Sequence, residues 1–234
     1  MEKILSVEKI NTYYGKSHIL FDVSLDIYKN EVLCLLGRNG AGKTTTFKSI
    51  VMLNPPASGK VIFNGKCLNE FKPYQIFRLG IGLVPEDRRI FGPLTVKENL
   101  MLGARVGRKG IWNLDMVYKY FPILKEYESK PGGMLSGGEQ QMLTIARTLM
   151  GNPEVLLLDE PSEGLSPVMV NTLKEIVLGL KEAGATIVLS EQHVKFAMAV
   201  SDRVSIIDKG HIVYEASIEE FKKDLEIQKK YLAV

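Results

Sequence analysis

Cysteine is scarce in this chain: Cys34 and Cys67 are the only two, far apart in sequence and without metal-ligand spacing. A disulfide-framed secreted scaffold and a cysteine metal cluster are thereby excluded, and two buried, reduced thiols in a cytosolic protein are expected. An excess of charge of one sign is missing as well. With 30 Lys and Arg against 27 Asp and Glu the net charge is +3, too small to argue for nucleic acid by itself. No apolar run approaches the length of a membrane span, and Met1 to Lys9 breaks its apolar residues with charges, leaving no room for a signal-peptide core. If a membrane matters to this chain, it is reached through another protein. Neither an internal repeat nor a low-complexity segment is present.

What is present is an ordinary globular composition, 45% hydrophobic and 24% charged. A length of 234 residues favours one domain with room for an inserted subdomain. From His18 to Ile27 the apolar residues Phe21, Val23, Leu25 and Ile27 alternate with Asp22, Ser24 and Asp26, the period of a strand with one wet face in an antiparallel region. Unbroken apolar runs near Val32–Leu36, Ile81–Val84, Val155–Leu158 and Thr186–Leu189 read instead as parallel strands covered on both faces. Helical patterns separate them, so an α/β sheet with crossover connections is predicted.

The clearest helix takes Ser166 as N-cap and Pro167 in its first turn, lines up Leu173, Ile176, Val177 and Leu180, and stops at Gly184. From about Ile90 to Met150 only helical patterns occur, at Thr95–Arg105, Leu114–Tyr120 and Ser136–Met150. That block is expected to be a helical subdomain inserted in the α/β core. Its loop-like stretch Arg105–Gly110 reads as a solvated surface.

After the buried strand come Gly37, Arg38, Asn39, Gly40, Ala41, Gly42, Lys43, Thr44 and Thr45, matching G-x-x-x-x-G-K-[ST] in a strand, loop, helix context. The glycines let backbone N–H groups turn around phosphate oxygens, and the following helix adds the positive end of its dipole. Lys43 is placed to neutralise the β and γ phosphates, Thr44 to give its hydroxyl to Mg²⁺, and Thr45 to reach an α-phosphate oxygen. A second half of such a site is visible where Asp159 and Glu160 end an apolar strand. Uncompensated carboxylates there are costly. A magnesium ion held by Asp159 supplies the compensation, and Glu160 orients and deprotonates the attacking water. A phosphate loop demands such a metal-binding acid on a neighbouring strand.

Leu135-Ser136-Gly137-Gly138-Glu139-Gln140-Gln141 contains a capping box, Ser136 with Glu139, at a helix start. Two glycines in the first turn weaken a helix that only needs capping, and suit a backbone that must approach a phosphate. At this point the sequence resembles the ATP-binding cassette (ABC) family, whose signature reads L-S-G-G-Q just upstream of the strand ending in Asp-Glu; Glu139 stands where Gln is usual. The resemblance covers essentially the whole chain. It implies a phosphate-loop NTPase (RecA-like) core from residues 1–90 and 151–234, with an N-terminal antiparallel β region and an inserted helical subdomain at about 91–150.

It also implies that Tyr14 stacks on adenine, although that residue also reads as a strand or turn tyrosine. Two cassettes would form a head-to-tail dimer in which Ser136, Gly137, Gly138 and Glu139 of one close over the γ-phosphate held by Lys43 of the other. Three positions depart from the family pattern. Glu86 replaces the glutamine that touches Mg²⁺ and the attacking water, and a carboxylate can still do either. Ser166 replaces an aspartate in the segment after Asp159-Glu160. The residue that senses the γ-phosphate sits ten positions before an Asp-Arg pair, which selects Gln192, with His193 the alternative.

Val84–Phe91, Leu135–Leu143, Ser190-Glu191-Gln192 and the ending Lys229-Lys230-Tyr231-Leu232 are similar to the shorter ATPase subunit of branched-chain amino-acid importers. Tyr13-Tyr14-Gly15 and Glu163-Gly164-Leu165 lean toward the related urea and short-amide importers. This implies an ATP- and Mg²⁺-dependent ATPase at the cytoplasmic face of the inner membrane. Two permease subunits, a second cassette and an extracytoplasmic solute-binding protein are the implied partners, with no nucleic acid. The helical stretch near Phe91 to Arg105 is the implied membrane-protein contact. Two rival readings are a soluble cassette acting in DNA repair or on the ribosome, which lacks the expected second cassette or coiled-coil insertion, and a phosphate-loop kinase or GTPase, which leaves Leu135–Gln141 unexplained.

Overall fold

The computed structural model describes residues 2–232. Strands β1 (Lys3–Tyr14) and β2 (Ser17–Tyr28) form an antiparallel hairpin, followed by β3 (Val32–Leu36), α1 (Lys43–Ile50), β4 (Ser58–Phe63), β5 (Lys66–Cys67), α2 (Pro73–Leu79) and β6 (Ile81–Val84). Helices α3 (Val96–Val106), α4 (Leu114–Tyr120), α5 (Pro122–Glu126) and α6 (Gly137–Leu149) then run without a strand among the described residues. The chain continues through β7 (Val155–Asp159), α7 (Pro167–Glu182), β8 (Thr186–Glu191), α8 (Val194–Val200), β9 (Arg203–Asp208), β10 (His211–Ser217), α9 (Ile218–Lys223) and α10 (Leu225–Leu232).

The strands make two sheets. One is antiparallel, in the order β2-β1-β4-β5; the other runs β10-β9-β3-β8-β7-β6, parallel except for the edge strand β10. Successive side chains of a strand point to opposite faces, and this explains why the central strands are apolar without alternation. Leu33 and Leu35 of β3, Val155 and Leu157 of β7 and Val188 of β8 enter a core shared with the antiparallel sheet and α1. Val32, Cys34 and Leu36 of β3, Leu156 and Leu158 of β7, and Ile187 and Leu189 of β8 enter a second core, shared with α3 to α9. Leu143, Ala146 and Leu149 of α6 lie in the same apolar cluster as the sheet.

The four expected parallel strands and the helix capped by Ser166 form where their patterns place them, and Ser166 Oγ accepts the Met169 N–H. Three features differ. Residues 3–14 form a full strand whose alternation is hidden, because the pairing with β2 shifts register between Val7 and Ile10, at a left-handed Lys9. Cys34 is buried, but Cys67 lies exposed on the short edge strand β5. The acid-bearing strand β7 is not beside β3; β8 lies between them.

Glu31 opens β3 in a buried position. Its Oε1 accepts the Tyr28 N–H at 2.7 Å, Arg203 Nη1 stands 3.8 Å from Oε2, and Oε2 has no hydrogen-bond donor among the described residues. Burial pushes the carboxyl above its usual range, and the Tyr28 N–H and Arg203 offset this only in part. An acid raised by folding contributes stability that is full below its unfolded pKa and is lost as pH rises through the folded value. Glu31→Gln keeps the acceptor and removes the charge. Its melting temperature relative to the parent is expected to climb from below about pH 4 to pH 7; a difference that is flat or falls with pH in a thermal-denaturation series would contradict this.

Candidate nucleotide site

The site forms where β3, β8 and β7 end side by side. Between β3 and α1 the chain turns through Gly37–Gly42, with the Gly37 N–H bonded to Glu191 O and the Gly210 N–H to Ala41 O. Gly42 sits at φ 115°, and a Cβ there would lie 2.8 Å from the Leu20 side chain. Only glycine tolerates both demands. It is also the N-cap of α1 without a capping side chain, which leaves the first N–H groups of the helix free for an anion. At Gly40 a Cβ would meet nothing within 4 Å, so the open side of the loop faces space rather than protein.

Lys43 is almost fully buried. Its ammonium donates to Gly37 O at 2.8 Å and Arg38 O at 3.1 Å and pairs with Glu160 Oε1 at 3.1 Å. The loop is thus wrapped around its own lysine, which stands within reach of the second half of the site. There Thr44 Oγ1 donates to Asp159 Oδ1 at 3.1 Å, two hard oxygens together at the point where a divalent cation is expected. The donor set fits Mg²⁺ bridging to phosphate. Among the described residues no cluster of three His, Cys, Asp or Glu side chains stands at ligand spacing, so phosphate oxygens and water would complete the shell.

The strand between β3 and β7 supplies a residue that sequence reading passed over. Ser190 of β8, fully buried, donates to Asp159 Oδ1 at 2.6 Å and accepts the Glu160 N–H at 3.0 Å. It holds both acids at once. Burial pushes Asp159 above the usual carboxylate range against the pull of Ser190 and Thr44, with the charges of Glu160 and Glu86 adding to the rise. A bound cation would reverse that sign. A serine in an apolar strand gives no signal of this role, because only the crossover that inserts β8 brings it to Asp159.

Glu160 leaves β7 with φ 44°, a left-handed backbone unusual outside glycine. Its Oε2 is buried with no N–H or hydroxyl partner among the described residues. Burial raises its pKa, but the Glu163 carboxyl and Lys43 outweigh this and hold it below the usual range. Glu163 answers in the opposite direction, pushed up to about 7 by its hydrogen bond with Glu160 and by burial. The charge of the pair therefore rests on Glu160, in the form a proton acceptor needs.

The other expected residues are placed as follows. Glu86 is exposed just beyond β6, near enough for its charge to act on Asp159. Tyr13 stacks on His18 with ring centroids 4.1 Å apart, whereas Tyr14 is exposed and stacks on no ring among the described residues. His193 Nδ1 lies 2.8 Å from Ser162 Oγ and 3.8 Å from Glu191 Oε2, so its ring is engaged on the loop after Glu160. Gln192 is half-buried and makes no side-chain hydrogen bond among the described residues.

The segment Ser136–Glu139 starts α6 with the expected capping box: Ser136 Oγ accepts the Glu139 N–H, and Glu139 accepts the Ser136 N–H at 2.7 Å. Its glycines have neighbours of their own. A Cβ on Gly137 would lie 2.6 Å from Arg88 Nη1, and one on Gly138 would lie 2.8 Å from the Met169 side chain. The Arg88 nitrogen is the end of a flexible side chain, so the crowding at Gly137 is soft, whereas at Gly138 the Met169 Cγ, near the root of its side chain, is also 2.8 Å away and favours glycine. No hydrogen bond or ion pair joins 136–139 to 37–45 among the described residues.

A glycine-rich loop feeding a helix, with Lys43 and Thr44 facing an acid pair two strands away in a parallel sheet, defines a phosphate-loop nucleotide hydrolase. The particular family follows from comparison: the family described as ABC transporter matches residues 20–163, and the chain belongs to it as an ATP-hydrolysing subunit. The high-affinity branched-chain amino acid transport ATP-binding protein BraG of Pseudomonas aeruginosa is 42% identical over 90% of this chain and 91% of its own. The probable branched-chain amino acid transport ATP-binding protein LivF of Archaeoglobus fulgidus is 35% identical over 99% of both. The lipopolysaccharide export system ATP-binding protein LptB of Haemophilus influenzae is 33% identical over 98% of this chain and 97% of its own. Among solved structures, the ADP conformation of the ATP-binding cassette MJ1267 superposes with a TM-score of 0.86 at 26% identity, covering 100% of this chain and 98% of that one. Subunits of this family bind ATP and work with membrane permease subunits; among the described residues no helix is long and apolar enough to cross a membrane.

Ser190→Ala leaves the fold's apolar layers intact and removes one donor from Asp159. The Mg²⁺ concentration needed for half-maximal ATPase activity is expected to rise about 10- to 100-fold, as for loss of a group that orients a metal ligand. An unchanged Mg²⁺ titration with a lowered melting temperature would show that Ser190 is structural only.

Proposed function

We propose that the chain binds Mg-ATP and hydrolyses it in a head-to-tail pair of cassettes, powering import of branched-chain amino acids through two membrane permease subunits. The observation that carries the reading is the Lys43–Glu160 pair beside Thr44 and Asp159. The backbone of Gly37–Gly42 and the start of α1 would hold the β and γ phosphates, Lys43 would neutralise them, and Tyr14 would stack on adenine. Mg²⁺ held by Thr44 and Asp159 supplies charge neutralisation at the phosphate oxygens. Glu160, held in its charged form, accepts the proton of the attacking water. Gln192, whose amide is uncommitted, donates to the γ-phosphate. Glu86 stands at the rim to orient water or the cation, and Ser136, Gly137, Gly138 and Glu139 of the second cassette complete the site.

Residues about 91–150 would act as the helical subdomain, with 1–90 and 151–234 as the nucleotide-binding core. A groove of about 350 Å³ lined by Leu53, Phe77, Leu83, Phe91 and Arg147 lies between α1 and α2 on one side and the α3–α6 stretch on the other. Leu53 and Phe91 are exposed at its rim, which suits an apolar segment of a permease at the cytoplasmic face of the inner membrane. The likeness to BraG and LivF supports branched-chain amino acids as the cargo of the assembly, delivered by an extracytoplasmic binding protein. Tyr13-Tyr14-Gly15 and Glu163-Gly164-Leu165 favour a second reading, a urea or short-amide importer.

Glu160→Gln is expected to bind Mg-ATP, lose turnover by about 10²-fold or more, and form an ATP-dependent dimer by light scattering. Multiple-turnover hydrolysis by this variant would remove the proton-acceptor role, and a monomer with bound ATP would remove the composite site. For the cargo, the binding protein that co-purifies with the complex is expected to gain thermal stability with leucine, isoleucine or valine; a gain with urea instead would select the second reading.

A further inference from the structure

Three arginines meet where the loop after β6 crosses α6, and two of them are committed. Arg89 pairs with Asp87 at 2.8 Å. Arg147 of α6 spends its guanidinium on the carbonyls of Arg88 and Arg89 and on Asn99 Oδ1. Arg88 differs: its side chain makes no hydrogen bond or ion pair among the described residues, although it is only half exposed.

The backbone at this point is forced. Arg88 and Arg89 are consecutive left-handed residues, with φ of 60° and 49°, a conformation that side chains other than glycine adopt only when the surroundings impose it. The imposition comes from α6, since Thr144 Oγ1 and Arg147 Nη2 both donate to Arg88 O. Arg88 is therefore carried by α6. Its guanidinium lies over Gly137, with Nη1 filling the space a Cβ would need, and Nη2 lies 3.9 Å from where a Cβ on Gly164 would stand.

We propose that Arg88 acts in trans, its guanidinium joining Ser136–Gly138 on the γ-phosphate of the ATP bound to the second cassette. The inference rests on the composite site proposed above. A cation fixed to the start of α6 goes where the signature segment goes, and within one chain that segment makes no hydrogen bond or ion pair with 37–45 among the described residues. A guanidinium with five N–H donors and no carboxylate or carbonyl to satisfy them matches the terminal phosphate, whose equatorial oxygens carry negative charge through the transfer while the electron pair of the breaking bond passes to the leaving oxygen. It also adds a positive charge to a helix start whose capping box carries the negative Glu139.

The test compares Arg88→Met, which keeps the stem over Gly137 but no charge, with Arg88→Lys, which keeps the charge. Each is made in the otherwise native chain for ATPase rates and in the Glu160→Gln chain for light scattering with Mg-ATP. Arg88→Met is expected to bind Mg-ATP to the monomer within about twofold of its parent, to lose roughly a hundredfold in kcat, and to dimerise at least about tenfold more weakly with ATP. Arg88→Lys is expected to regain at least about a tenth of the parent rate. Arg88→Met within twofold of the parent in rate and dimerisation would overturn the proposal. So would an Arg88→Lys chain as impaired as Arg88→Met, or a loss confined to ATP affinity of the monomer. A Glu160→Gln chain that binds ATP but stays monomeric with Arg88 intact would instead remove the composite site on which the inference rests.

Discussion

Burying the ammonium of Lys43 against the carboxylate of Glu160 constrains everything near it. Both side chains are less than a tenth exposed and stand 3.1 Å apart. Moving either charge out of water is costly, and leaving one without the other typically costs about 3–5 kcal/mol. The fold meets this cost by placing the ends of three strands together. The loop after β3 gives Lys43 two carbonyls, β7 gives it the carboxylate, and β8 between them fixes the acid pair through Ser190. An ion pair held this way is balanced in a single chain, yet every group in it is one that a phosphate, a cation or a water can use. The arrangement stores recognition in contacts that are exchanged when a ligand arrives.

Backbone strain collects around the same centre. Glu160, Arg88 and Arg89 are all left-handed without being glycine, at a cost of order 1–3 kcal/mol each. Each is held by identifiable bonds: the Glu160 N–H by Ser190, and the carbonyls of Arg88 and Arg89 by Thr144 and Arg147. The strained residues lie at the end of β7 and in the loop beyond β6, adjacent strands of the parallel sheet. The groove lined by Phe91 and Arg147 adjoins the anchors of the second of these, with the Arg147 guanidinium 5.2 Å from the centre of the Phe91 ring.

The glycines of the signature segment show how sequence and packing divide an explanation. Read alone, Gly137 and Gly138 weaken a helix start and imply close approach by a phosphate. In the folded chain both also lie against side chains, Arg88 and Met169. The Arg88 end can move, so packing tolerates glycine at 137 more than it requires it, whereas Met169 Cγ crowds position 138 and itself favours glycine there. What packing adds is the identity of the neighbour, a cation that no motif search around Ser136 would include because it lies 48 positions upstream.

The sequence by itself determined the α/β class, the four central strands, the helix from Pro167, the phosphate loop with Lys43 and Thr44, and the pairing of Asp159 with Glu160. These are local signals, set by side-chain period, turn chemistry and motif spacing, and they need no knowledge of what lies across the sheet. The tertiary structure decided the rest. It placed β8 between β3 and β7, and with it Ser190 against both acids. It set Glu163 against Glu160, bonded His193 to Ser162, and left Tyr14 rather than Tyr13 unstacked. It exposed Cys67, and it turned the hidden strand at 3–14 into the hairpin's second ladder. For Ser190, His193 and the strand at 3–14 the deciding contact joins residues far apart in the chain or hangs on a register shift, and neither composition nor periodicity encodes which strand order or which bulge brings two such residues together.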